Sequence, residues 1–317
     1  MKINEIAKEI LKFKSILIFS HTRPDGDTLG CAFSLKLALE SLGKKADIVC
    51  EQEVPEKYRF LKIAESLKKP EFINESYEAH IAVDVSVESL FGRTYPLFMK
   101  NGNTFNIDHH ISNTKYAKFN YVEDVGACCM IIYKLINEMG AVITKDIADC
   151  LLLGISTDTG HFAYSNVTEE TLNIAGKLVK SGGDLHEINY LMFKNQKKER
   201  ALLYGKVMSR MKFYLEDKLA IITIRKSDLE DFNANSDMTE GFIDFPLSVE
   251  GVEVAISVLE TDDKHFKISY RSKGKINVNQ IASTFGGGGH ILASGSMLNG
   301  YYEDVIDKLV YTVGLYL

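Results

Sequence analysis

Four short stretches of the 317-residue chain place acids and histidines where chemistry could use them: His21-Thr22-Arg23-Pro24-Asp25-Gly26-Asp27, Asp84, Asp108-His109-His110, and Asp158 within Ser156-Thr157-Asp158-Thr159-Gly160-His161-Phe162. Taken singly, each has an ordinary structural use. Asp-Gly-Asp is a turn signal, Asp27 can cap a following helix, and Asp84 can be a solvated acid at a strand end. Taken together, the carboxylates of Asp25, Asp27, Asp84 and Asp158 would repel one another at one place unless cations neutralised them. Two divalent ions cancel that charge, so a two-metal site is the economical reading. Carboxylate and imidazole donors without thiolate suit hard to borderline ions, which favours Mn²⁺, then Mg²⁺, Co²⁺ or Fe²⁺, and ranks zinc last. Two such ions about 3.5–4 Å apart lower the pKa of a bridging water and stabilise both attacking and leaving oxygens in phosphoryl hydrolysis.

To converge, these groups need a scaffold that ends several elements at one edge, and the first half of the sequence supplies one. An apolar run at 15–20, a helix-period segment at 28–42 and a second apolar run at 46–50 predict a βαβ unit. Further strands are expected at 79–83 and 103–107, and helices at 127–139 and 145–154, giving an α/β domain with a mainly parallel sheet flanked by helices. Ligands of such sheets bind outside the carboxyl ends of the strands. His21, Asp84 and Asp108-His109-His110 each follow such an end, and Asp158 follows the apolar segment 151–155.

At Ser181-Gly182-Gly183 the pattern breaks. The expected division is a catalytic-type domain at 1–184, a charged helical connector at 185–212 and a smaller α+β domain at 213–317, the last with β-rich segments at 213–224, 252–259 and 266–270 and helices at 278–285 and from Tyr301. Between those helices, Gly286-Gly287-Gly288-Gly289-His290 lets backbone N–H groups approach an anion without Cβ obstruction, unless it is a flexible tether. Arg271, Ser272 and Lys273 close a strand and would suit a terminal phosphate, or else are a solvated strand end. Lys197, Lys198 and Arg200 read as a solvated helix face, and Tyr301-Tyr302 as ordinary packing residues.

Composition sets the outer bounds. With 37 Lys+Arg against 43 Asp+Glu the net charge is -6, which argues against a nucleic-acid coat protein, and 45% apolar with 25% charged residues is ordinary globular composition. No run of about 18 apolar residues exists, and Ile3, Ile6, Ala7, Ile10 and Leu11 form an amphipathic helix rather than a signal peptide, so a soluble cytoplasmic protein without membrane attachment is expected. The five cysteines, Cys31, Cys50, Cys128, Cys129 and Cys150, are odd in number and never spaced C-x-x-C, and read as reduced, buried thiols.

The motifs His21-x-x-Pro24-Asp25-Gly26-Asp27, Val83-Asp84-x-Ser86, Asp108-His109-His110, Thr157-Asp158-Thr159-Gly160 and Gly286-Gly287-Gly288-Gly289-His290-x-x-Ala293-Ser294-Gly295 occur in that order. In this the sequence resembles the DHH/DHHA1 phosphoesterases over nearly its whole length, and in layout their bifunctional oligoribonuclease and pAp phosphatase branch, the NrnA type. The resemblance implies that His21 and Asp25 hold one manganese, that Asp27, His109 and Asp158 hold another, and that Asp84 bridges. It implies that His110 contacts the scissile phosphate, that Asp108 orients the site from behind, and that Arg271, Ser272, Gly287, Gly288, Gly289 and His290 of a DHHA1 domain grip substrate across an interdomain cleft that closes for catalysis. The implied substrates are RNA oligomers of a few nucleotides, cleaved to mononucleotides, and 3′-phosphoadenosine 5′-phosphate (pAp), cleaved to AMP. Cyclic di-AMP or its linear product pApA is the alternative, and a homodimer is common in the family. RecJ-type exonucleases are longer, and family II pyrophosphatases lack the glycine motif. A catalytically silent nucleotide-binding regulator would be expected to have lost a metal ligand, and all six are present. Gly30-Cys31 and Gly126-Ala127-Cys128-Cys129 depart from the family pattern without touching a ligand.

Overall fold

In the computed structural model, which describes residues 1–317, the chain divides into two units, Met1–Asn195 and Gln196–Leu317. Short runs of β-branched, aliphatic and aromatic residues build the first unit's sheet: β1 (Ser15–Phe19), β2 (Lys45–Val49), β3 (Leu67–Lys68), β4 (Ala79–Val83), β5 (Thr104–Asp108) and β6 (Phe119–Val122). All neighbours are parallel, in the order β3-β2-β1-β4-β5-β6. Side chains of β1 alternate between two cores, Ile16 and Ile18 on one face and Leu17 and Phe19 on the other. A sheet covered on both faces needs apolar residues at every position, and all of β4 and β5 is buried. The chain runs outward from β1 to one edge and then returns to β4 on β1's other side. The strand order therefore reverses between β1 and β4, the place where an open α/β sheet leaves a crevice for ligands.

Seven helices complete this unit: α1 (Ile3–Leu11), α2 (Gly26–Ser41), α3 (Tyr95–Phe98), α4 (Cys128–Glu138), α5 (Lys145–Asp158), α6 (Glu169–Lys180) and α7 (Leu185–Asn189). Helix α1 buries one stripe, Ile6, Ala7 and Ile10, whereas α2 is buried along nearly its whole length and is the central helix of the core. Two glycines let α5 lie directly on α2. A Cβ on Gly30 would stand 2.4 Å from the Cys150 carbonyl oxygen, and one on Gly154 would stand 2.3 Å from the Cys129 sulfur and 2.6 Å from Asp27 Oδ1. The opposite face of the sheet is covered by an aromatic cluster in which Phe19, Phe91 and Phe98 interlock, with Phe91 and Phe98 centroids 4.7 Å apart. All five cysteines are free and buried.

The second unit comprises α8 (Lys198–Met208), β7 (Lys212–Tyr214), β8 (Leu219–Ile224), α9 (Lys226–Asp231), α10 (Asp244–Ser248), β9 (Val254–Asp262), β10 (His265–Ser272), α11 (Val278–Thr284), β11 (Gly288–Gly289), β12 (Ala293–Asn299) and α12 (Tyr302–Gly314). Its sheet runs β11-β12-β10-β9-β8-β7, with β8 and β9 parallel and the other pairs antiparallel. Strand β10 alternates, with Phe266, Ile268 and Tyr270 turned into a core shared with α11 and α12. On the other face Leu203 and Val207 of α8 pack with Ile222, Ile224 and Phe242.

The stretch 185–212 is shared between the units, its residues up to Asn195 going with the first and the rest with the second. The segment 213–224 is two strands because Leu215, Glu216 and Asp217 take left-handed conformations that turn the chain back between β7 and β8. No helix is long and apolar enough to cross a membrane.

Candidate active site

The site is assembled at the carboxyl ends of β1, β4 and β5 and at the facing ends of three helices. His21 follows β1, and its carbonyl accepts from the Cys50 thiol at 3.2 Å. Asp25 caps α2, its Oδ1 accepting from the N–H groups of Asp27 and Thr28, both at 3.1 Å. Asp27, fully buried in the first turn of α2, faces the start of α4: Oδ2 accepts from Cys128 N–H at 2.5 Å and Oδ1 from Cys129 N–H at 2.9 Å. Free N–H groups at a helix start are a natural seat for a carboxylate, so α4 fixes this acid without a cationic side chain.

Asp84 directly follows β4 with φ 57°, a left-handed conformation uncommon outside glycine, while its N–H remains bonded to the Ile107 carbonyl at 2.9 Å. After β5, His109 donates Nδ1–H to the Val125 carbonyl at 2.9 Å. Because a carbonyl only accepts, this bond puts the proton on Nδ1 and leaves the Nε2 lone pair facing the acids. His110 in turn donates Nδ1–H to Asp108 Oδ1 at 2.8 Å, and Asp108 Oδ2 accepts from Asn113 at 2.6 Å. Asp158 is the last residue of α5. The helix expected at 145–154 runs on to Asp158, so this acid is carried into the site by the helix end itself.

These side chains meet around Asp84, whose two oxygens face different imidazoles. Oδ2 is 3.8 Å from His21 Nε2, while Oδ1 is 3.5 Å from His109 Nε2 and 3.6 Å from His110 Nδ1. His21 Nε2 also lies 3.6 Å from Asp25 Oδ1, and His109 Nε2 lies 3.5 Å from Asp158 Oδ2 and 3.9 Å from Asp27 Oδ2. The donor atoms of His21, Asp25 and Asp84 form one set compact enough for a metal ion, and those of Asp27, His109 and Asp158 form a second. Thiols lie beneath rather than within these sets: Cys31 Sγ is 3.8 Å from Asp27 Oδ1 and 3.5 Å from Cys129 Sγ.

The electrostatics fit divalent cations. Burial and the neighbouring carboxylates of Asp27 and Asp25 push both Asp84 and Asp158 well above the usual carboxyl range. The C-terminal end of α5 adds a further unfavourable partial charge at Asp158. Burial pushes Asp25 up as well, but its bonds to His21 and to the N–H groups of Thr28 and Asp27 outweigh burial and leave it below the usual value. Asp84 Oδ1 and His109 Nε2 are both buried without a hydrogen-bond partner. Both atoms can donate an electron pair, they lie 3.5 Å apart, and an ion accepting both satisfies them. The Asp108–His110 pair is different in kind. Burial raises the Asp108 carboxyl, but its bonds to His110 and Asn113 hold it below its usual value, while the bond to Asp108 lifts His110 above the ordinary imidazole value.

In the second unit, Arg271 is half-buried near the end of β10 and donates to the Tyr270 carbonyl at 3.1 Å. Ser272 is buried, its hydroxyl accepting from Gly274 and Ile276 N–H, so it shapes the turn that follows. The glycine run is neither a tether nor an open loop. Gly286 continues past α11 with φ 72°, Gly288 and Gly289 pair with Gly295 and Ser294 as the edge strand β11, and a Cβ on Gly287 would stand 2.1 Å from the Gly295 carbonyl oxygen. His290 is exposed, and its N–H closes a tight turn on the Ala293 carbonyl at 2.8 Å.

Several contributors escaped the sequence reading: the Val125 carbonyl, the N–H groups of Cys128 and Cys129, and Asn113. Backbone groups carry no residue signature. Asn113, three residues beyond His110, was the one visible signal.

Comparison with known proteins gives concordant results. Residues 15–155 match the family model for the DHH family, N-terminal domain, and residues 216–317 match that for the DHHA1 domain. The chain is 32% identical, over 96% of its length and 92% of the relative's, to the bifunctional oligoribonuclease and PAP phosphatase NrnA of Thermus thermophilus. To the protein of the same name in Bacillus subtilis it is 26% identical over 96% of each chain. Among solved structures, an exopolyphosphatase-related protein of Bacteroides fragilis superposes with a TM-score of 0.92 at 25% identity, covering 99% of this chain and 96% of that one.

Proposed function

The chain belongs to the DHH family of phosphoesterases, with a DHHA1 domain following the DHH domain, and from that premise we propose that it is a metal-dependent hydrolase of short RNA oligonucleotides, which it cuts to mononucleotides, and of pAp, which it converts to AMP. The observation that carries this reading is the position of Asp84, with one oxygen toward His21 and the other toward His109, which leaves Oδ1 and the His109 lone pair buried and unsatisfied. His21 and Asp25 would hold one divalent ion, Asp27, His109 and Asp158 the other, with Asp84 shared and Mn²⁺ preferred over Mg²⁺ or Co²⁺ on the donor set. When bound, such a pair supplies a nucleophilic water at neutral pH and neutralises charge on the phosphoryl oxygens.

The protein's own groups do the rest. Val125 and the start of α4 orient His109 and Asp27 before any ligand arrives, so little reorganisation is needed on binding. His110 donates Nδ1–H to Asp108, a bond that favours the imidazolium form, whose second N–H at Nε2 would then donate to a phosphoryl oxygen. In the second unit, Arg271, Gly287, Gly288, Gly289 and His290 are the proposed nucleotide contacts, with Ser272 holding the turn behind Arg271.

The test is Mn²⁺-dependent product release from RNA of two to five nucleotides, pAp, pApA, cyclic di-AMP and pyrophosphate, with Asp84→Ala as control. Mononucleotides and AMP from the wild type, and neither from Asp84→Ala, are expected. Full turnover by Asp84→Ala would overturn the shared-ligand assignment, and cleavage of cyclic di-AMP alone would overturn the substrate.

A further inference from the structure

Immediately beyond Asp158 the backbone does something unusual. Gly160, His161 and Phe162 have φ values of 54°, 47° and 68°, three consecutive left-handed residues of which two carry rings. Such conformations persist only where surrounding structure holds them, and they concentrate where a side chain must be aimed. Here the holding contacts are visible. His161 N–H donates to the Ser156 carbonyl at 2.7 Å, Phe162 N–H to Thr159 Oγ1 at 3.2 Å, and Ala163 N–H to the Thr159 carbonyl at 3.0 Å, folding the segment back along the last turn of α5. Asn166 clamps the Asp158 carbonyl at 3.0 Å and the Gly126 carbonyl at 3.1 Å.

The two rings go opposite ways. Phe162 packs against the main core and anchors the turn. His161 stays exposed and rests on the ring of Phe193, centroids 4.3 Å apart and tilted by 47°. Phe193 itself belongs to a single π-helical turn, Tyr190–Lys194, which extends α7, another local irregularity of the kind found at functional sites. His161 takes no part in either set of donor atoms at the carboxylate cluster, so that cluster does not account for its placement.

We propose that His161, backed by Phe193, is the specificity-determining platform on which a nucleobase of the substrate stacks. The inference rests on the phosphoesterase reading above and adds what that reading lacks, a reason to prefer nucleotides over other phosphoesters. A nucleotide whose phosphate lies at the carboxylate cluster carries its base one ribose away, and the ring nearest in sequence to Asp158 is the one presented to solvent with an aromatic support behind it. Base–aromatic stacking tolerates any base, because every base has a π-face, and this suits an enzyme that degrades mixed oligomers.

The experiment compares kcat/KM for pAp with kcat/KM for ribose 3′,5′-bisphosphate, the same phosphoester without its base, in wild type, His161→Asn and His161→Phe. Asparagine tolerates the left-handed backbone but removes the ring, whereas phenylalanine keeps a stacking surface without the imidazole nitrogens. Because both substrates are assayed on one preparation, the ratio is independent of how much of a variant is folded. The wild-type preference for pAp is expected to fall about 5- to 150-fold in His161→Asn and to be largely retained in His161→Phe. An unchanged ratio in His161→Asn overturns the proposal, and so does an equal fall in both variants, which would indicate an imidazole hydrogen bond instead of stacking. Wild type inert toward both compounds would sink the phosphoesterase reading itself.

Discussion

Replacing Gly154 by alanine separates packing from chemistry. Gly154 lies one helical turn before Asp158, against α2, and the new methyl carbon would stand 2.3 Å from Cys129 Sγ, 2.6 Å from Asp27 Oδ1 and 3.0 Å from Asp27 Cα, where ordinary contact is 3.4–4 Å. Relief requires α5 and α2 to part by about 1 Å, which draws Asp158 away from Asp27 and His109. Overpacking of this kind costs about 1–3 kcal/mol, and the better helix propensity of alanine returns about 1 kcal/mol, so the net loss is about 0–2 kcal/mol. Misplacing a reacting group by about 1 Å costs about a hundredfold in rate. The expected signature is a melting temperature lowered by no more than about 8 °C together with a kcat/KM on pAp lower by about two orders of magnitude. Gly176→Ala is the matched control. It makes the same change in the middle of α6 at an exposed glycine whose Cβ would have nothing within 4 Å. That variant should gain about 0.5–1 kcal/mol, or about 1–4 °C, with wild-type activity. Calorimetry and steady-state kinetics on the two purified variants decide the matter. Near-wild-type activity in Gly154→Ala, or equal behaviour of the two variants, would refute the claim that the α2–α5 contact sets the site's geometry.

Two further outcomes are expected. Mn²⁺ at about a hundred times its dissociation constant should raise the melting temperature by about 5–10 °C and a chelator should reverse this, since an ion that binds only the folded state contributes about 2.7 kcal/mol at that concentration; a melt indifferent to both would remove the metal assignment. In the second unit, burial raises the Asp228 carboxyl but the Arg210 guanidinium and the Arg225 N–H more than offset it, leaving it below its usual value. A depressed carboxyl stabilises above its unfolded pKa and loses that stabilisation as pH falls through its folded one, so urea titrations should place Asp228→Asn about 1.5–3 kcal/mol below wild type at pH 7, with the gap closing below about pH 4. A gap independent of pH would contradict that account.

What was legible in the sequence follows a physical rule. The strands at 15–19 and 79–83 announce themselves as short apolar runs buried on both faces, and polar residues directly after them mark the sheet edge where the site forms. Asp158 is legible as a chemical group and the helix at 145–154 as an element, but the polar residues Ser156 and Thr157 carry no apolar period to show that the helix runs on to the acid. That the glycine run joins the sheet as β11 is not legible in the sequence for a related reason. Backbone hydrogen bonding decides between loop and edge strand, and glycine has no side chain to betray which of them it joins. The supports from Val125, Cys128 and Cys129 act through main-chain atoms and could be found only in three dimensions.

The reversal of strand order between β1 and β4 bears on how the proposed site would acquire its ions. A loop that chelates with neighbouring residues can seize whichever cation it meets while the chain is still leaving the ribosome. Here the proposed donors are dispersed from His21 to Asp158, and neither Asp84 nor Asp158 is in place until β4 and α5 have docked with the rest of the first unit. Capture of ions by the proposed site would thereby wait until the first unit has folded. The ion would then be chosen by a finished shape in equilibrium with the cell's supply, and not by the order in which ligands are synthesised.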